Sequence, residues 1–256
     1  MLAVAAALLS LGVADRSWGE PSDPGWDIWI APYLWALSME GDTAIGHREA
    51  DVDVPFSDIV KDLNFGLMAF LDARKGKLGF FLNPILSRLQ DEESVHGLDI
   101  DVTSDSVIVA AGAYYRVLET HFGSGDGSPS HRFIVEPYLG ARWTYLRAKI
   151  DIGGIGDLDE SVDWLDPIIG ARMLMEFGPQ WDLALAADLG GFGVGSDASW
   201  NVQALFGYRF KMGHRDAVLR FGYRALHEDY ETGAGGSRFR WDVTQQGPIL
   251  GLALRF

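Results

Sequence analysis

Cysteine is absent from the 256-residue chain, so neither a disulfide framework nor a thiolate metal site can form. Basic residues are scarce. The 21 Lys and Arg face 36 Asp and Glu, a net charge of −15. Phosphate binding calls for a basic face, which argues against a nucleic-acid partner. Long apolar runs are also missing. Past the N-terminal segment, no stretch reaches the ~20 apolar residues that a membrane-crossing helix needs. The chain either stays out of membranes or enters one as strands.

Glycine (31 residues) and aromatics (12%) are abundant instead, a composition common among β-barrels. The N-terminus opens on an apolar stretch, MLAVAAALLSLGV, of signal-peptide length and too short to span as a helix. Gly12 and Ala14, or Ser17 and Gly19, offer small residues for cleavage, although no Lys or Arg precedes the run. The expectation is a signal peptide over 1–19 and one domain over 20–256.

Ten stretches alternate apolar and polar residues with period two. They lie near 26–39, 64–73, 77–89, 100–118, 132–150, 161–177, 180–190, 199–211, 217–230 and 238–256. Most reach the ~9–11 residues of a tilted transmembrane strand. The connections after the second, sixth and eighth stretches are short (74–77, 178–179 and 212–216), and the one after the fourth (121–131) is longer and rich in Gly and Ser. Those after odd-numbered stretches are mostly longer or more acidic. Short turns at one end and long loops at the other are the habit of outer-membrane barrels. An even strand number then returns both termini to the same side.

Two faces separate within the strands. In 133–145 one face carries Phe133, Val135, Pro137, Leu139, Ala141, Trp143 and Tyr145, the other Glu136, Tyr138, Gly140, Arg142 and Thr144. In 200–210 Trp200, Val202, Ala204, Phe206, Tyr208 and Phe210 oppose Asn201, Gln203, Gly207 and Arg209. Aromatics at the ends of the apolar face resemble a membrane girdle and place lipid outside. At the C-terminus Leu250, Leu252, Leu254 and Phe256 share one face and the sequence stops on phenylalanine. This resembles the terminal signature through which outer-membrane barrels are received by their assembly machinery.

A pattern recurs as EPYLGAR from Glu136 and DPIIGAR from Asp166, with weaker echoes at Pro32, Pro84 and Pro248. Together with DLGGFG from Asp188 and Gly222-Tyr223-Arg224, it resembles a family of small Gram-negative outer-membrane β-barrel proteins of unassigned function. That resemblance implies a fold and a location and carries no catalytic residues. The fold expectation is all-β, a transmembrane antiparallel up-and-down barrel of about ten strands, with eight or twelve as alternatives. Proline lacks a ladder N–H, so bulges are expected at Pro137 and Pro167.

On the polar face lie Glu136, Arg142, Arg172, Glu176, Asp182, Asp188, Arg209, Arg220 and Arg224. If that face is the lumen, these charges must pair, either as a salt-bridged filling or as an arginine-lined anion-selective constriction. Ten strands lie nearer the filled end of the barrel series than the channel end. Acidic residues crowd the presumed outer loops: Asp42, Glu49, Asp51, Asp53, Asp58 and Asp62, then Asp91, Glu92 and Glu93, then Asp157, Asp159 and Glu160. Such oxygens suit divalent cations, but no EF-hand spacing occurs and solvated surface is the plainer reading. His227-Glu228-Asp229, His47 and His96 are the candidates for a rim-sited hydrolase, protease or lipid-modifying. Neighbours on a strand face opposite ways, which denies His227 and Glu228 a dyad, and no G-x-S-x-G elbow is present. The expected function is a non-enzymatic outer-membrane barrel with a structural or narrow-pore role, without cofactor or metal. Its expected partners are outer-membrane lipid, lipopolysaccharide and, during insertion, the barrel-assembly machinery.

Overall fold

The computed structural model of the chain describes residues 25–95, 98–123, 131–152 and 156–256. The expected signal peptide lies outside the described residues. In chain order come β1 (Asp27–Trp35), β2 (Ser38–Ile45), β3 (Arg48–Val54), helix α1 (Phe56–Asp62), β4 (Leu63–Lys75), β5 (Leu78–Val95), β6 (Leu98–Tyr115) and β7 (Leu118–Phe122). Then follow β8 (His131–Ile152), β9 (Gly156–Phe177), β10 (Trp181–Gly191), β11 (Ala198–Met212), β12 (Arg215–Thr232) and β13 (Phe239–Arg255).

Ten of these strands form a ring of antiparallel neighbours, β1-β4-β5-β6-β8-β9-β10-β11-β12-β13, which closes where β13 pairs with β1. The fold is the all-β, ten-stranded antiparallel barrel expected from the alternation. Pairing followed round the ring from Trp29 runs through Asp72, Phe81, Gly112, Gly140, Ile168, Gly190, Ser199, Glu228 and Val243. It ends on Gly41 of β2, which prolongs the line of β1. The offset from residue 29 to residue 41 is the shear of the barrel. Such a shear tilts ten strands by about 40°, within the range of membrane barrels.

Closure satisfies the backbone groups that lipid would leave bare. Period-two alternation then sorts the side chains. Leu139, Leu165, Ile169, Leu189, Phe206, Phe221 and Leu250 face outward and are exposed, while Arg142, Asp166, Asp182 and Leu226 face inward and are buried. The outward apolar band runs from Phe177, Trp181 and Phe256 at one end to Trp143, Leu165 and Phe192 at the other. On β9 it covers Leu165 to Phe177, about the length of a membrane-crossing strand. Trp143, the half-buried Tyr145 and Trp200, and Phe206 all belong to this outer surface.

The end carrying the N-terminal edge and Phe256 has tight turns at Gly76, Gly178 and Gly213, all at left-handed φ of 61–69°. Only glycine adopts that conformation without strain. The opposite end carries long hairpins. The first outer connection contains the β2–β3 hairpin and α1, which packs Ile59 inward. β2 pairs with the upper part of β13, so the hairpin extends the wall above the ring.

The expectation of bulges within β8 and β9 needs correction. Pro137 pairs with Ala171 and Pro167 with Ala141 in unbroken register. The irregularity falls on the neighbouring strand. Tyr114 pairs with Tyr138 and Leu118 with Val135, so three residues, 115–117, stand opposite two, 136–137. β7 is therefore β6 resumed after a bulge facing Pro137. Pro167 sits one residue past the last β10 pairing, at Ile168.

Candidate functional site

The inward residues stack into levels. At the turn-bearing end they form a continuous charged network. Arg172 donates to Glu136 at 2.6 Å and to Asp72 at 2.8 Å. Arg116 donates to the same Glu136 at 2.8 Å and to Glu119 at 3.1 Å, and Arg132 adds a 2.7 Å bond to Glu119. On the adjoining strands β9 to β12, Arg209 donates to Asp182 at 2.8 Å and to Glu176 at 2.5 Å, and Arg220 also bonds to Asp182. Arg74 and Arg255 bracket Asp27 at 2.8 and 2.7 Å. Glu136, Glu119, Asp182 and Asp27 each accept from two arginines, Asp72 accepts from Arg172 and the Tyr114 hydroxyl, and Glu176 lies between Arg209 and Arg132, so the buried charges are paired.

Two unlike halves meet at mid-height. One is polar: Asp188 accepts from Arg142 at 2.5 Å, Tyr138 at 2.8 Å and Asn201 at 2.9 Å. The other is apolar: Trp35, Ile85, Ile108, Leu226 and Ile249 form one buried cluster. Arg142 is 1% exposed and Leu226 0%. Together the halves form a septum across the lumen. Above it Thr144 donates to buried Glu228 at 2.7 Å, and Asp166 accepts from the backbone N–H and hydroxyl of Ser196 at 2.7 and 2.6 Å. Trp164 stacks on Tyr230 at 4.4 Å, bridging the walls above the short β10–β11 hairpin.

Aromatic–glycine pairs shape the lower half. Tyr114 lies over Gly79, Phe81 over Gly112 and Tyr138 over Gly170, each opposite its glycine on the neighbouring strand. The missing Cβ makes room for the ring. Under the septum lies a cavity of about 340 Å³, lined among others by Phe70, Asp72, Arg172, Gln203, Leu205, Arg224 and Ile249. It extends down to Asp27, Arg74, Arg132 and Arg255 at the turn-bearing end. A smaller space of about 50 Å³ continues it upward to Arg142 and Asp188.

The nine charged residues read from the sequence all take part in this lumen lining. The structure brings Glu136 to Arg172, Arg142 to Asp188, and Glu176 and Asp182 to Arg209, with Arg220 on Asp182. Arg224 it places elsewhere: its guanidinium donates to Asn201 at 2.8 Å, Asn83 at 3.0 Å and Tyr33 at 3.3 Å, none of them charged. Sequence reading missed Asp27, Asp72, Arg74, Arg116, Glu119, Arg132 and Arg255. Counting parity along 64–75 from apolar Leu67 would have turned Asp72 and Arg74 inward.

Outside, Leu250 and Phe256 are exposed, Leu252 and Leu254 half-buried, all on the outer face of β13. The Phe256 N–H donates to Ile28 at 2.9 Å, tying the chain end into the seam. At the long-hairpin end Asp229, Asp242, Asp42 and Asp51 are successive cross-strand partners. No group of three or more His, Cys, Asp or Glu able to hold a metal ion occurs among the described residues. Lys61 donates to Asp58 at 2.8 Å, and that bond holds the Asp58 carboxyl below the usual carboxylate range. His227 stacks on Trp200 outside the wall and shares a 3.1 Å bond with Thr244, while Glu228 points inward. The side chains of Asp91, Glu92, Glu93, His96 and Asp157 lie outside the described residues.

A closed antiparallel barrel of even strand number, polar within and belted by apolar side chains without, is the build of a bacterial outer-membrane protein, and that is the class of this chain. Among solved structures, it is similar to Ail, the attachment invasion locus protein of Yersinia pestis, in complex with the heparin analogue sucrose octasulfate. There 15% of residues are identical, 91% of this chain and 100% of that one are covered, and the TM-score is 0.36. It is similar too to Neisserial surface protein A (18%, 91% and 99%, TM-score 0.30) and to the P. putida toluene transporter TodX (9%, 91% and 90%, TM-score 0.22). No family model and no curated protein matches the chain. The class rests on the closure, the lumen and the band rather than on these likenesses.

Proposed function

We propose that the protein is a non-enzymatic, structural outer-membrane barrel whose lumen is sealed at mid-height. The observation that carries this reading is the septum, in which Arg142 and Leu226 are at most 1% exposed, with Glu228 equally buried just above it. An ion crossing it would have to part the Arg142–Asp188 pair or displace packed Trp35 and Leu226, and both are costly in a low-dielectric interior. The outer band sits in lipid and lipopolysaccharide, and the face of Leu250, Leu252, Leu254 and Phe256 is what the assembly machinery receives. Among the described rim candidates, His227 and Glu228 lie on opposite faces of the wall and form no dyad.

The test is single-channel recording of the purified, refolded protein in a planar bilayer. The sealed lumen gives no discrete steps in concentrated potassium chloride, even at high voltage. Steady, reproducible openings would overturn the structural reading in favour of a narrow pore.

A further inference from the structure

We propose that the cavity below the septum binds a small amphipathic monoanion, an apolar body carrying one carboxylate, with Arg224 as its charge partner. The inference needs the cavity and Arg224 but not the seal above them, so a conducting barrel would leave it standing.

Arg224 differs from the other arginines lining the cavity. Each of those bonds to at least one carboxylate, whereas Arg224, 4% exposed, has only amide and phenol oxygens and the Trp35 ring at 4.9 Å. Among the described residues no carboxylate lies within ion-pair distance of it. A buried guanidinium without an anion is costly, and partial charges on Asn201 and Asn83 compensate only part of that cost. Arg224 lines both the main cavity and its upward extension, so a ligand entering from below meets it at the inner end. Gln203 lines the same two spaces, and its amide has no hydrogen-bond partner among the described residues, which leaves it able to bond a second ligand oxygen.

The remaining wall sets the ligand's body. Phe70, Leu205, Ile249 and Ala186 line the approach to Arg224, an apolar surface suited to an alkyl or aryl group. One uncompensated guanidinium calls for one negative charge, since a dianion would have to draw Arg172 or Arg220 off its own carboxylate. A cavity of about 340 Å³ lies at the lower end of the range for small-molecule sites.

The experiment is calorimetric titration of the full-length barrel in lipid nanodiscs with sodium 4-phenylbutyrate, against empty nanodiscs. The neutral 4-phenylbutanamide and sodium acetate serve as comparison ligands. Saturable one-to-one binding of phenylbutyrate is expected, with the amide and acetate each weaker by about tenfold or more, one lacking the charge and the other the apolar body. Arg224→Gln should weaken phenylbutyrate by a similar factor while heat-modifiable migration on gels reports an intact barrel. No saturable binding, equal binding of carboxylate and amide, or an unchanged affinity in folded Arg224→Gln would each overturn the proposal. Acetate as tight as phenylbutyrate would refute the amphipathic part. Should Arg224→Gln fail to fold, the carboxylate–amide comparison on the unaltered protein decides alone.

Discussion

Asp188 concentrates the energetics of the lumen in one side chain. It accepts from Arg142, Tyr138 and Asn201, all buried. Asp188→Ala strands the Arg142 guanidinium at the barrel centre and should cost about 3–5 kcal/mol, read from urea unfolding of the refolded barrel in vesicles. Asp159→Ala removes an equally short pair, Arg147 to Asp159 at 2.7 Å, that stands exposed above the membrane band, and should leave the midpoint unchanged. Equal effects from the two would mean that the septum is wet and the seal misread. The charges of this network were legible in the sequence wherever a strand alternates cleanly, as from Phe133 to Tyr145. What the sequence could not show is pairing across the lumen: Arg172 meets Asp72 a hundred residues away, and only the shear decides which strands face one another. The lone position of Arg224 was illegible for the same reason.

Among the elements, β13 bears the seam of the barrel, pairing with β12 on one edge and with β1 and β2 on the other. Its terminal Phe256 adds one backbone bond to Ile28 and a ring under the Arg215 guanidinium, 3.9 Å from the centroid. Deleting Phe256 should lower the stability of the folded barrel only modestly, on the order of 1–3 kcal/mol for one interfacial aromatic. If the face ending on Phe256 is the assembly signal proposed above, delivery should suffer more. The measurement is the amount of heat-modifiable protein in outer-membrane fractions for the full chain and the deletion. Equal amounts would make the terminal Phe incidental. Ten strands were readable from period two, but the elements in the first outer connection were not. The β2–β3 hairpin is too acidic to read as half-buried, since β3 is covered on one edge only and its side chains are largely in solvent. Helix α1, at seven residues, is shorter than any periodicity can reveal. Pro137 was read correctly as a disturbance, but its missing N–H is accommodated by an extra residue on the facing strand.

At the scale of the molecule the two ends are unlike, and that difference sets its orientation. One end has tight glycine turns at Gly76, Gly178 and Gly213, the seam at Phe256 and the arginine-rich mouth of the cavity. The other has tall hairpins carrying Asp42, Asp51, Asp229 and Asp242. Turns of two or three residues belong on the periplasmic side, where the chain enters the membrane, and long connections on the cell surface. Because the chain contains no cysteine, a single introduced thiol reports sidedness without background. Val194 lies in the outer turn between β10 and β11, 74% exposed, and His214 in the turn between β11 and β12 at the opposite end. Neither touches the lumen network, so Val194→Cys and His214→Cys should both fold. A polymer-linked maleimide too large for any pore should label Val194→Cys on intact cells, and His214→Cys only after the outer membrane is permeabilised. The reverse pattern would turn the cavity toward the cell surface, and Arg224 would then meet ligands from the medium instead of the periplasm. Labelling of both on intact cells would mean that the barrel does not span the membrane.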